Sequence, residues 1–273
     1  MTKIFLDSGD PLETRTALAR LEFLDGQTTN PSLVAKNPEA VGNKFTSEEI
    51  YNFYKKVVQE ISSLIPAGSV SIEVYANANT SAEEMLKQAR EFWLWIPNAH
   101  IKYPTTKEGL KAAEISIKEG MKVNMTLIFT QEQAAAVYSA TKGAKKGDVF
   151  VSPFIGRLDD IGLQGTDLIQ NIMEMYKAGD GHVEVLAAST RNMQHLSQIF
   201  KMGVDIVTMP LSLLENWKSQ GLTVEALASV KDLTPIDYKV INLDSPWESY
   251  NVHHELTVKG LEKFAQDWNA LIK

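Results

Sequence analysis

The sequence predicts an α/β protein built as a TIM (β/α)8 barrel with an extra C-terminal helical segment, the whole forming a single domain. Two observations lead there. Eight short β-rich runs alternate with eight amphipathic stretches whose apolar residues recur near every 3.6 positions. Within several runs the polar residues also keep one parity, as they must when alternate side chains of parallel strands point into a common interior. Periodicity cannot show closure, so a doubly wound sheet is the alternative.

The strand expectations, in chain order, are Lys3–Asp7, Leu24–Thr28, Val70–Tyr75, His100–Tyr103, Lys122–Ile128, Val149–Phe154, Val183–Ser189 and Ile206–Met209. Pro104 ends the fourth, and "GDGH" at Gly179–His182 is a turn ahead of the seventh. The helices expected on apolar periodicity are Leu12–Leu21, Ser47–Ile65, Ala82–Trp95, Lys107–Glu119, Gln131–Lys142, Thr166–Lys177, Arg191–Met202 and Leu211–Gln220. The aromatic "EFWLWIP" closing the third of these suits core or subunit contact. Residues 1–220 thus make the barrel. Residues 221–273 make an extension, with a short helix at Val224–Val230 and a final helix at Thr257–Ile272, that packs on the barrel or reaches a neighbouring subunit in the expected homo-oligomer.

Composition excludes several classes of function. A formal charge of −7 without a Lys/Arg block argues against nucleic-acid or anionic-membrane binding, which rely on clustered positive charge. The absence of cysteine removes disulfides, zinc–thiolate sites and thiol nucleophiles. "MTKIFLDSGDP" lacks the apolar core of a signal peptide and "FWLWIP" is too short to span a bilayer, so a cytoplasmic protein is expected. His253 and His254 are adjacent, not four apart as in a helical zinc motif, and no glycine-rich nucleotide loop follows a strand. Neither a metal nor a cofactor is expected.

In a parallel barrel the strand C-termini carry the active site. Asp7 ends the first strand and "DGQTTNPS" puts Thr28, Thr29 and Asn30 at the end of the second. Ser71 and Glu73 share a parity, as do Lys122, Asn124 and Thr126, while Ser152 is flanked on its own parity by Phe150 and Phe154. Lys102 stands inside a run that otherwise reads as a buried strand. An unpaired buried charge is costly, so this lysine needs a partner, a path to solvent, or work as an amine. Taken singly, each polar residue has a duller reading: a helix cap for Ser, Thr, Asn or Asp, a snorkelling edge residue for Lys. Convergence of Asp7, Glu73 and Lys102 from three strands favours chemistry. A lysine desolvated in a barrel becomes a nucleophile that forms a Schiff base with a carbonyl, and a carboxylate at Asp7 or Glu73 can then take a hydroxyl proton for carbon–carbon cleavage. Asn30, Asn124, Thr126 and Ser152 suit a polyol substrate. In the late loops, "SPFIGR" supplies Arg157 and "AASTRN" supplies Ser189 and Arg191, a set suited to a phosphate.

Seven ordered segments, "FLDS", "GQTTNPSL", "SIEV", "IKYPTTKEG", "VNMTLIF", "SPFIGR" and "AASTRN", resemble the strand-end motifs of the transaldolase family across nearly the whole chain. The resemblance implies a class I aldolase-type barrel whose imine-forming lysine, on the fourth strand, is Lys102, with Asp7 as acid/base. It further implies that Glu73 and Thr126 hold a catalytic water, that Thr28, Asn30, Asn124 and Ser152 bind the dihydroxyacetone unit, and that Arg157, Ser189 and Arg191 bind phosphate. Phe154 stands where the related fructose-6-phosphate aldolases carry a tyrosine that helps to release dihydroxyacetone. The expected substrates are sugar phosphates. The expected activity is transfer of a dihydroxyacetone unit between them, with an aldolase and a non-catalytic sugar-phosphate-binding barrel as the alternatives.

Overall fold

A computed structural model describes residues 1–223 and 232–273. The short helix expected at Val224–Val230 lies outside the described residues. Eight parallel strands close on themselves in sequence order: β1 (Lys3–Asp7), β2 (Gly26–Thr28), β3 (Ser69–Glu73), β4 (Ala99–Pro104), β5 (Val123–Ile128), β6 (Val149–Pro153), β7 (Val183–Ala187) and β8 (Ile206–Met209). The pairing of β1 with β8 decides for a barrel over a doubly wound sheet. The surrounding helices are α1 (Pro11–Leu21), α2 (Pro31–Ala35), α3 (Ser47–Leu64), α4 (Ala82–Trp93), α5 (Lys107–Lys118), α6 (Gln131–Ala140), α7 (Ile155–Asp159), α8 (Gly165–Tyr176), α9 (Met193–Met202), α10 (Leu211–Ser219) and α11 (Glu255–Asn269).

Local chemistry explains the boundaries. Capping boxes start α3 at Thr46 with Glu49 and α4 at Ser81 with Glu84, each satisfying orphan amides at both ends of the box. The second strand is shorter than the expected Leu24–Thr28, because Asp25 turns its carboxylate onto the Ile4 amide at 2.8 Å and only then does the chain join the sheet. Lys122 precedes β5 and is exposed, so the inward polar parity of that strand begins at Asn124. Two five-residue helices, α2 and α7, were not anticipated, since one and a half turns are too short to show a periodicity. In "EFWLWIP" Phe92, Trp95 and Ile96 are buried while Leu94 is exposed.

The C-terminal segment crosses the upper rim of the barrel. The Gln133 side chain donates to Val252 O at 3.1 Å and to Thr257 Oγ1 at 2.8 Å, and the Thr257 hydroxyl donates to Leu127 O at 2.9 Å. Leu127 has a φ of +61° at a register shift in β5. A branched residue in the left-handed region marks a β-bulge held by its surroundings.

Candidate active site

The strand registers set the interior. Asp7 pairs with Thr28, Thr28 with Ser71, Glu73 with Lys102, Lys102 with Asn124, and Thr126 with Ser152. Alternation then sends these side chains to one side of the sheet, and apart from the half-buried Asp7 all are buried. Two buried partners answer the question that Lys102 poses. Its Nζ lies 3.0 Å from Glu73 Oε2 and donates to Thr29 O at 3.0 Å. Glu73 is held in turn by α3: its amide donates to the Tyr54 hydroxyl at 3.0 Å, and that hydroxyl also bonds Thr29 Oγ1 at 2.6 Å. Tyr54 therefore ties together the two groups that receive the ammonium.

On the opposite wall, Asp7 Oδ1 accepts the Thr28 hydroxyl at 2.7 Å, and Thr28 Oγ1 shares a 2.6 Å bond with Thr208 Oγ1 of β8. Burial raises the carboxyl of Asp7 above its ordinary value, opposed by the positive charge of Lys102. Glu73 is raised for the same reason, again against Lys102. Along β3, β5 and β6 a polar chain runs from Ser152 Oγ to Asn124 Oδ1 at 2.6 Å and from Asn124 Nδ2 to Ser71 Oγ at 3.0 Å. Among the described residues the buried Thr126 Oγ1 has no hydrogen-bond partner. Asn30 caps α2 through a 2.9 Å bond from the Leu33 amide to its Oδ1, leaving the side-chain NH2 to face other partners.

The segments after β6 and β7 hold the arginines: Arg157, expected in a loop, lies within the short helix α7, and Arg191 lies ahead of α9. The Arg157 guanidinium sits 5.2 Å from the centre of the Phe154 ring and 5.5 Å from that of Phe264 in α11. A Cβ at Gly260 would stand 2.5 Å from Arg157 Nη1, so a glycine at this turn of α11 leaves the guanidinium its space. Arg157 forms no ion pair among the described residues, and burial lowers its affinity for a proton, with Glu73 opposing. Arg191 instead lies on the rim, paired through two bonds of 2.5 and 2.8 Å with Asp160. Ser189, expected inside the seventh strand, lies past its end in the left-handed region at φ +58°.

Asp7, Thr28, Glu73, Lys102, Asn124, Thr126 and Ser152 are thus brought into one upper chamber, with Phe154 and Arg157 beside it and Arg191 further out. Sequence reasoning missed Tyr54, Thr208 and the contributions of Gly260 and Phe264. Tyr54 and Phe264 lie on helices and read as core, and no spacing in the sequence connects them to strand ends more than a dozen residues away.

The profile of the transaldolase/fructose-6-phosphate aldolase family matches residues 4–273. A protein of Dehalococcoides mccartyi named a probable transaldolase is 41% identical over 83% of this chain and 94% of its own length. Proteins of the same name from Methanococcus vannielii and Alkaliphilus metalliredigens are 38% and 35% identical, each covering 99% of this chain and 99% and 100% of their own. A solved chain from Mesorhizobium loti, 11% identical with a TM-score of 0.52 over 77% of this chain and 55% of that one, shares the fold alone.

Proposed function

This chain belongs to the transaldolase/fructose-6-phosphate aldolase family, and we propose that within it the protein is a transaldolase. In this reading it moves a dihydroxyacetone unit from a ketose phosphate, such as fructose 6-phosphate or sedoheptulose 7-phosphate, to an aldose phosphate such as erythrose 4-phosphate or glyceraldehyde 3-phosphate. The observation that carries the proposal is the enclosed Lys102 ammonium, whose near neighbours are one carboxylate and one carbonyl.

Lys102 must shed a proton before it can attack the ketose carbonyl. A carboxylate whose proton affinity burial has raised is a suitable receiver, and Glu73 lies 3.0 Å away. Attack and loss of water give a protonated imine, an electron sink for cleavage between the α and β carbons. Asp7 takes the β-hydroxyl proton, the aldose departs, and an enamine of dihydroxyacetone stays on Lys102. Addition of that enamine to an acceptor aldehyde, with Asp7 returning the proton, and hydrolysis of the imine complete the transfer. The hydroxyl of Thr126, buried without a hydrogen-bond partner among the described residues, together with the Glu73 carboxyl suits a water of these proton-transfer steps. Asn30, Asn124 and Ser152 hold the hydroxyls of the dihydroxyacetone unit, and Thr28 keeps Asp7 in place while lining it. Arg157, Ser189 and Arg191 receive the phosphate, for which Arg191 shares its guanidinium with Asp160.

Borohydride reduction in the presence of fructose 6-phosphate, followed by peptide mapping, tests the chemistry. An adduct on Lys102 is expected, and its absence from every lysine would favour a barrel that only binds sugar phosphates. Phe154 separates transfer from aldol release. Its ring, 8% exposed and stacked edge-on with Phe129 at 6.1 Å, offers no acidic proton to the enamine. Phe154→Tyr should raise release of free dihydroxyacetone and slow transfer to erythrose 4-phosphate. A wild-type enzyme that releases dihydroxyacetone as fast as it transfers it would be an aldolase.

A further inference from the structure

Two segments carry the proposed phosphate ligands, and they are cross-tied below the rim. The Gly156 amide donates to Ser189 O at 3.2 Å, and a Cβ at Gly156 would lie 2.4 Å from that same oxygen and 2.6 Å from Arg191 Nε. The other side of the turn is gripped by a histidine that the sequence did not single out. His195, 3% exposed, stands at the third position of α9, whose cap is Asn192. Its Nδ1 accepts the Arg191 amide at 3.3 Å, and its Nε2 lies 2.7 Å from Asp159 Oδ2 on α7.

Accepting an amide hydrogen requires a lone pair on Nδ1, so the ring is the neutral tautomer and Nε2–H donates to Asp159. Burial, which holds the imidazole below its ordinary value against the pull of Asp159, favours that neutral form. Asp159 is itself fixed, because its other oxygen accepts the Gly165 amide at 2.9 Å. Between the two grips sits Ser189 in a left-handed conformation that a residue with a side chain adopts only when its surroundings impose it.

We propose that His195, seated on Asp159, is a positioning residue that holds the Ser189–Arg191 turn in register with Arg157 and so sets the preference for phosphorylated donors. The inference rests on the reading of Arg157, Ser189 and Arg191 as the phosphate ligands. The ring joins the segment after β6 to the segment after β7 and grips the Arg191 amide, whereas the remaining ties between the two segments are backbone bonds to Ala188 and Ser189 and the exposed Arg191–Asp160 pair. Displacement by an ångström is enough to weaken a geometry-dependent anion contact.

The experiment compares fructose 6-phosphate with fructose as donor, using unphosphorylated glyceraldehyde as acceptor so that only the donor phosphate differs. The readout is the ratio of kcat/KM for the two donors. His195→Phe should lower that ratio roughly tenfold, through KM for fructose 6-phosphate, while fructose is used within about twofold of wild type. His195→Asn keeps an acceptor at the place of Nδ1 and should restore most of the ratio. His195→Gln keeps the donor towards Asp159 but not that acceptor, and should resemble Phe even where the Phe variant folds poorly. A wild-type ratio in both the Phe and Gln variants overturns the role of His195. Arg157→Ala is the control: if it collapses the ratio while the His195 variants do not, only the positioning role fails. If Arg157→Ala also leaves the ratio unchanged, the phosphate reading itself fails.

Discussion

The lower and upper halves of the barrel interior are built from the same strands and the same parity, yet they settle their buried polar groups differently. In the lower half, Phe5 meets Phe150 edge-on at 5.9 Å and His100 stacks on Phe150 at 4.1 Å. Both nitrogens of His100 are bonded, to Ser69 Oγ at 2.7 Å and Gly147 O at 2.9 Å, and burial pushes its pKa down to about 3. That histidine is a neutral packing element. The upper half instead holds two carboxyls with raised proton affinity around one ammonium, and a threonine hydroxyl that bonds to nothing described. Burial therefore does not mark the candidate site, and neither does a single unsatisfied atom, since Glu184 Oε2, on β7 beside Phe150 in the lower half, is also buried without a hydrogen-bond partner among the described residues. Two carboxyls of raised proton affinity converging on one buried lysine do, because a cluster of perturbed titratable groups is what proton-transfer chemistry requires.

If this contrast is correct, substitutions in the upper half should remove activity without unfolding the protein. Lys102→Met should give the largest effect, abolishing turnover and borohydride trapping while circular dichroism and the thermal midpoint show an intact fold, since an apolar side chain of similar length fills the space. Residual activity within about tenfold of wild type would contradict the role of a nucleophile.

Asp7→Asn should cost about 10²–10⁴-fold in kcat, the range for loss of a general acid/base. Its stability should move the other way. A carboxyl raised in the folded state contributes stability that is fully present below its ordinary value of 3.8 and lost as pH rises through the folded value. The neutral amide avoids that loss, so the variant should melt higher than wild type at pH 7, with the gain shrinking as pH falls towards the ordinary carboxylate range. A midpoint lower than wild type at pH 7 would show that the charged carboxylate is stabilising. The smallest effect on activity belongs to the lower half: Phe150→Leu should destabilise by about 1–2 kcal/mol in chemical denaturation, and kcat should stay within roughly threefold.

Much of the site could be read from parity and strand ends. Asp7, Glu73, Lys102, Asn124 and Ser152 sit where a period of two and the βα alternation put them, because strand register carries side-chain direction. The residues that escaped detection act across the fold. Thr208 meets Thr28 only because β8 closes onto β1. Tyr54 reaches the ends of β2 and β3 from a helix that packs outside them. Asn30, expected among the substrate ligands, is first of all the cap of a helix too short to announce itself.

By itself the sequence determined the eight-fold alternation, the inward parity and the identity of the groups at the strand ends, since these depend on local periodicity and on the chirality of parallel connections. Tertiary structure alone decided which groups satisfy one another. Glu73 and the carbonyl of Thr29 reach Lys102, Asp160 takes Arg191 while Arg157 forms no ion pair among the described residues, and α11 brings Gly260 and Phe264 against the Arg157 guanidinium. Partnership among buried charges depends on distances of a few ångströms between segments far apart in the chain, and Coulomb and hydrogen-bond energies at that range are set by closure of the barrel and not by spacing along the sequence.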